Sequence, residues 1–110
     1  MKHLIKRILK EETVSIDPKV IKVLKNFIIE YFSDVDWFRD VDFERSTWIN
    51  SNSISIPEIK ITIYISDEDD IVTTSDFSEL VEEIDFIMDM FYPMKDYTYT
   101  AVWTLDVDPV

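Results

Sequence analysis

The chain has no cysteine and no glycine among its 110 residues, one alanine, one histidine, and eleven basic residues against twenty-three acidic. Each shortage excludes something. Without cysteine there are no disulfides, no thiolate metal sites and no cysteine nucleophile. Without glycine there is no phosphate-cradling loop, no GxGxxG turn and no glycine-dependent nucleophile elbow, so nucleotide-binding and hydrolase readings that need such backbone fall away. Turns requiring a positive φ are expected to use Asn or Asp, which tolerate that region best after glycine. His3 alone, in a basic stretch, makes neither a zinc site nor a general base, and the serines have no histidine partner for a triad. Carboxylates are plentiful, but no pair is singled out by an apolar setting that would split their pKa values as glycoside hydrolysis requires. The inventory predicts a non-enzymatic protein with no cofactor and no metal.

Long apolar runs are missing as well, so no membrane span is expected, and the start lacks the apolar block and small-residue cleavage site of a secretory signal. What is present suffices for a core: 46% of residues are hydrophobic, in a length that suits one domain. Isoleucine occurs sixteen times, a bias that fits AT-rich codons. Charge is unevenly placed. Residues 1–25 hold seven basic and three acidic side chains, whereas 26–110 hold four basic and twenty acidic. A body that acidic repels nucleic-acid phosphates and anionic lipid at long range and attracts basic partners.

Ile59 to Ser66 places four isoleucines, Ile59, Ile61, Ile63 and Ile65, at strict two-residue spacing, the pattern of a strand with one buried face. Before it, Asn50 to Ser53 is a turn cluster, so Ile54 to Ser66 is predicted to form a hairpin with a strand running from about Val41 or Phe43 to Asn50. Pro57 removes a ladder donor and puts the early part of the second strand at an edge or bulge. Upstream, Asp17-Pro18 is a helix start, followed by an apolar face of Val20, Leu24, Phe27, Ile28, Tyr31 and Phe32. Ile21, Val23 and Ile29 widen that face, which predicts a central helix contacted on more than one side.

After the isoleucine strand, Asp67 to Asp70 is an acidic strand end, and a helix is predicted to begin near Thr74 to Asp76, with Asp76 and Glu79 at capping-box spacing. Its stripe is Phe77, Leu80, Val81, Ile84, Ile87, Met88 and Phe91, and Pro93 stops it. Tyr97 to Val107 alternates again as a last strand, with Tyr97, Tyr99, Ala101, Trp103, Leu105 and Val107 on one side. Residues 2–12 carry Leu4, Ile5, Ile8 and Leu9 on one helical stripe with Lys2, Lys6, Arg7 and Lys10 around the rest. Bases near its start and acids at its end oppose the helix dipole, so this helix needs a surface to pack on. The expected fold is α+β in the order α-α-β-β-α-β, with a small, mainly antiparallel sheet covered by helices on one face. Residues 1–12 form a candidate docking segment and 17–110 a single domain.

Asp-Val-Asp occurs at 34–36, 40–42 and 106–108, and carboxylates two apart on extended chain point the same way, as oxygen ligands for a divalent cation would. A solvated acidic surface is the stronger reading, because acids are scattered throughout and no glycine makes the sharp turn of a calcium loop. Trp48 and Tyr64 are expected opposite the isoleucines, where only Lys60 and Arg45 are near, so base stacking in a basic groove is not expected. The opening Met1-Lys-His-Leu-Ile-Lys-Arg-Ile-Leu-Lys-Glu-Glu-Thr13 resembles the leading helices of small uncharacterised accessory proteins of AT-rich tailed bacteriophages. That resemblance implies a host-cytoplasm or virion setting and no activity.

Function is therefore expected to be protein interaction, as an adaptor or virion-associated module, or else inhibition of a basic host protein by nucleic-acid mimicry. The candidate partner-binding residues are Leu4, Ile5, Ile8 and Leu9 in the first segment and Glu79, Glu82, Glu83, Asp85 and Asp89 on the acidic helix. The partner is expected to be a basic protein or a larger assembly, with no direct nucleic acid and no membrane. The acids of that helix are either matched internally by Lys19, Lys22 and Lys25 or held free for the partner.

Overall fold

A computed structural model describes residues 15–49, 51–66 and 72–110. Among them the order is α1 (Pro18–Tyr31), β1 (Phe38–Ile49), β2 (Ser55–Ile65), α2 (Ser75–Phe91) and β3 (Val102–Pro109), an α+β fold. One helix precedes the hairpin in this order rather than two. The expected helix at 2–12, the Asp67 to Asp70 run and Asn50 lie outside the described residues.

Helix α1 starts as its sequence dictates: the Asp17 carboxylate accepts from the Lys19 amide at 2.9 Å and proline fills the first turn. It buries Val20, Leu24 and Ile28, flanked by buried Ile16 and Phe32, while Val23 and Ile29 are exposed. Among the described residues the helix is thus buried along one stripe, with Ile21, Phe27 and Tyr31 partly buried beside it. Its two extra β-branched residues sit outside the arc that the sheet and α2 can reach. At its C-terminal end Phe32 stacks on Phe38 at 5.2 Å and meets Trp37 and Phe77 edge-on, closing the core with aromatic rings.

The hairpin forms in the expected pairing. Val41 faces Ile63, Phe43 faces Ile61 and Trp48 faces Ile56 across antiparallel β1 and β2, with a register shift between Phe38 and Asp40. β1 begins before Val41 because the Trp37 and Phe38 rings are anchored in the aromatic end of the core. β2 is the central strand. Pro57 lies where it has β1 on one side and no β3 on the other, since the β2–β3 ladder starts at Glu58 and Val102. Proline thus sits where β2 has a neighbour on one side only, the setting in which a strand tolerates it.

The sheet is mixed, not mainly antiparallel: β3 runs parallel to β2. The reason is the connection, because α2 carries the chain back along the sheet and returns it to the end from which β2 started. β3 is also shorter than the alternation of Tyr97 to Val107 suggested. Pro93 is followed by a two-residue turn at Asp96-Tyr97, closed by reciprocal Lys95 and Thr98 backbone bonds of 3.0 and 2.9 Å. Asp96 and Tyr97 both have positive φ, as has Ser53 in the hairpin loop, so a tyrosine and a serine do here what glycine would otherwise do.

Helix α2 opens differently from expectation. The Asp76 carboxylate accepts from the Thr73 amide at 2.7 Å while the N-cap residue Thr74 makes no side-chain cap bond, so the helix is entered through Thr73 and Asp76 rather than through a box of Asp76 with Glu79. Its buried stripe is Phe77, Leu80, Ile84, Ile87 and Met88, while Val81 and Phe91 are exposed. These residues share one cluster with α1 and with Ile59, Ile61, Ile63 and Ile65. Both helices thus cover the isoleucine face, and the opposite sheet face is left open.

Ile63 is wholly buried at the centre of this cluster. Ile63→Ala is expected to cost about 2–5 kcal/mol in a denaturant titration, the range for deleting a buried aliphatic side chain and leaving a cavity. A loss below about 0.5 kcal/mol, the size of an ordinary surface change, would contradict burial of the ladder.

Candidate functional site

The helical period sorts the acids of α2 into two flanks. Glu82, Asp85 and Asp89 look towards β3, whereas Asp76, Glu79 and Glu83 look towards the C-terminal end of α1. Phe86 and Met90, four residues apart, run between the flanks and are 63% and 62% exposed. The expected five-acid set is therefore divided: the structure brings Glu82, Asp85 and Asp89 together and places Glu79 and Glu83 elsewhere.

The first flank borders a groove of about 670 Å³ between the C-terminal half of α2, the Pro93–Thr98 turn and the start of β3. Met88, Tyr92, Ala101, Val102 and Trp103 line it at depth, and Phe86, Met94 and Tyr99 line it where it opens to water. Asp85 accepts a hydrogen bond from the Trp103 indole N–H at 3.2 Å, tying the acidic flank to β3. Thr100 donates to the Pro93 carbonyl at 3.0 Å and holds the turn that carries Met94. An apolar interior with a carboxylate margin can hold the apolar side of a partner while drawing its cations to the edge.

Neither account of the acidic helix holds entire. Among the described residues no ion pair joins Lys19, Lys22 or Lys25 to the acids of α2, and Asp85 is matched by an indole and not by a lysine. The helices run antiparallel: the Asp17 amide donates to the Tyr92 hydroxyl at 2.9 Å at one end, and Phe32 meets Phe77 at the other. Tyr31 consequently sits beside the second acid flank. Its burial, then Glu79, Asp76 and Glu83, push the Tyr31 phenol above its usual 10.0.

Phe86, Met90, Met94, Tyr99 and Trp103 were not among the expected site residues. A signal existed for two of them, because Phe86 and Met90 are the apolar residues of this helix left off the stripe expected from the sequence. Leu4, Ile5, Ile8 and Leu9 lie outside the described residues. On the open sheet face, Asp40, Asp42 and Glu44 of β1 and Asp106 and Asp108 of β3 flank Lys60, Thr62 and Tyr64 of β2. Among the described residues no group of three or more His, Cys, Asp or Glu side chains is arranged to hold a metal ion, and no helix is long and apolar enough to cross a membrane.

No family model matches the chain, and no curated protein does. A solved chain from work on the mode of action of the zinc transporter CzrB is similar with a TM-score of 0.49 and 11% identity, over 87% of this chain and 99% of that one.

Tyr31 reports on the second flank. Its folded value is raised, so its contribution to stability is whole below pH 10 and is lost as the pH rises through the folded value, the unfolded phenol ionising first. Tyr31→Phe is expected to flatten the alkaline fall in stability. Glu79→Gln with Glu83→Gln should lower the Tyr31 midpoint in tyrosinate absorbance without restoring the usual value, because burial is the larger cause. An unmoved midpoint would mean that these acids point away from α1.

Proposed function

We propose that this protein is a non-enzymatic interaction module that binds a basic, amphipathic segment of a partner protein in the groove between α2 and β3. The observation that carries the reading is the groove itself. It joins an apolar interior of Met88, Tyr92 and Trp103 to a margin of Glu82, Asp85 and Asp89 that, among the described residues, meets no cation. Aromatic and methionine side chains serve as adaptable anchors for a helix laid in a groove, and the acids set which helices are accepted. An adaptor or virion-associated role in a phage setting is consistent with the resemblance of the opening segment, and the partner would be a basic protein or an assembly displaying such a segment.

A second reading is favoured by the open sheet face. Asp40, Asp42 and Glu44 form one acidic row and Asp106 and Asp108 another, two strands apart. Spacing along each row is about 7 Å and between rows about 10 Å, from the rise and separation of strands. Such rows would suit the basic cleft of a nucleic-acid-binding protein, with the sheet standing in for phosphates. Binding of that kind is almost wholly electrostatic and falls steeply with salt, whereas an apolar groove retains much of its affinity once exposed charges are screened beyond about 10 Å.

The test is a calorimetric titration of the full chain with a designed helical peptide, Leu/Ile on one face and Lys/Arg on the other, at low and moderate salt. Glu82→Lys with Asp89→Lys is expected to abolish binding while leaving Tm unchanged or raised, since like charges on the helix are relieved at about 0.2–0.5 kcal/mol per pair. Asp85 is left in place because it holds the Trp103 indole. Asp42→Lys with Asp106→Lys is expected to leave binding intact. The reverse pattern would transfer the function to the sheet face.

A further inference from the structure

The two edges of the sheet are not equally guarded. In the order β1-β2-β3, β1 has a neighbouring strand on one side only among the described residues. An edge strand is a template for pairing with another chain, and proteins blunt it with charges, prolines and bulges. The first part of β1 is blunted in that way: its register shifts between Phe38 and Asp40, and Arg39, Asp40, Asp42, Glu44 and Arg45 crowd it with charge. Past Arg45 the protection stops. Ser46, Thr47, Trp48 and Ile49 continue the strand with no charge and no proline, and the last three are residue types that favour extended chain. They open the longest uncharged stretch, 46–57, of a chain whose net charge is −12. This end of the hairpin is also apolar. Ile49 is 63% exposed, Trp48 and Ile54 are exposed too, and Ile56, opposite Trp48, is buried outside the main core cluster.

We propose that a second copy of this chain pairs antiparallel along the end of β1, about a two-fold axis between Ser46 and Trp48, joining two three-stranded sheets into one. Charge selects both the occupant and the register. Two chains this acidic can meet closely only where neither presents acids. A two-fold axis normal to the sheet opposes residues of the same face. Centred on Thr47, it sets Ser46 against Trp48 and Arg45 against Ile49 of the other copy. Moved towards the start of the strand, it opposes Arg45 to Arg45, then Glu44 to Glu44, then Asp42 to Glu44. The permitted pairings keep the two Glu44 residues about 14 Å or more apart along the strands, beyond the screening length of about 8 Å at physiological salt. The other edge is unsuited to a second copy: β3 begins with Val102 and Trp103 beside Glu82, Asp85 and Asp89, and pairing there would bring those acids together. The apolar side chains at the hairpin end are few, short of the roughly 800 Å² per partner of a standard interface, so the dimer is weak and reversible. Because β1 and β3 are opposite edges, the α2–β3 grooves stay at the outer ends of the joined sheet, and pairing is independent of what they bind.

Sedimentation of the full chain from micromolar to millimolar concentration tests this. A reversible dimer is expected, unchanged or strengthened by added salt, because screening relieves repulsion between the copies while the contact itself is uncharged. Ile49→Lys extends the charge guard along the edge and is expected to weaken the dimer at least about tenfold, with the Tm of the dilute chain unchanged. Phe86→Lys, on the crest of α2, is expected to leave the dimer intact. A chain that stays monomeric at every concentration overturns the proposal, as does a dimer that persists in Ile49→Lys or dissolves with Phe86→Lys. Amide hydrogen exchange on the unaltered protein reads the same surface without a substitution. Exchange at 46–49 is expected to slow as concentration rises while exchange at 39–42 stays constant. If 46–49 ignores concentration while a dimer forms, the contact lies elsewhere and the proposal fails.

Discussion

Everything in this fold depends on one face of β2. Ile59, Ile61 and Ile63 are fully buried because both helices lie across them, and β2 is the strand to which both other strands bond. Four isoleucines on a pleated surface give an apolar floor with few rotamers to lose, and two amphipathic helices are the economical way to keep water from it. The loss of any one of them would leave a cavity that neither helix can follow, since each is held at its far end by aromatic contacts around Phe32. Fixing both helices on one side has a consequence for charge. Many of the acids of the body are thereby gathered on the outward side of α2 and the open face of the sheet.

Those two acidic surfaces are not equivalent. The sheet face carries acidic rows on β1 and β3 with Lys60 between them, and apolar Trp48 and Ile56 lie at its hairpin end. The α2 surface is interrupted by Phe86 and Met90 and falls into a groove with Trp103, Tyr92 and Met88 inside it. A solvent-facing helix needs acids for solubility but has no use for a phenylalanine and a methionine more than half exposed on its crest. Their position between two carboxylate flanks is what favours a partner that is apolar and basic at once.

Much of the core was legible in the sequence because its signals are local. The two-residue period of Ile59 to Ile65, the Asp17-Pro18 helix start and the three-and-four spacing of Leu80, Ile84, Ile87 and Met88 each depend only on near neighbours. The direction of β3 was not legible, because strand pairing is decided by where a helix returns the chain. Tyr97 to Ala101 alternate like a strand and yet are not one, since a left-handed turn at Asp96-Tyr97 takes precedence, and no glycine marked it. The acidic helix was visible as charge but not as two flanks, for that division exists only once α1 and β3 lie on either side. The groove drew its residues from α2, the turn after Pro93 and β3, and only Phe86 and Met90 announced that the helix had apolar residues to spare.

The central claim is that the α2–β3 groove accepts a basic amphipathic segment, and the methionines offer the most direct view of it. Of the four in the chain, Met88 and Met94 line the groove, Met90 stands on the crest beside it and Met1 opens the first segment. With methyl-labelled methionine in the full chain, adding a saturating basic amphipathic peptide is expected to shift the Met88 and Met94 methyl signals most, with Met90 following. Binding that leaves Met88 and Met94 unmoved would place the partner elsewhere and contradict the account.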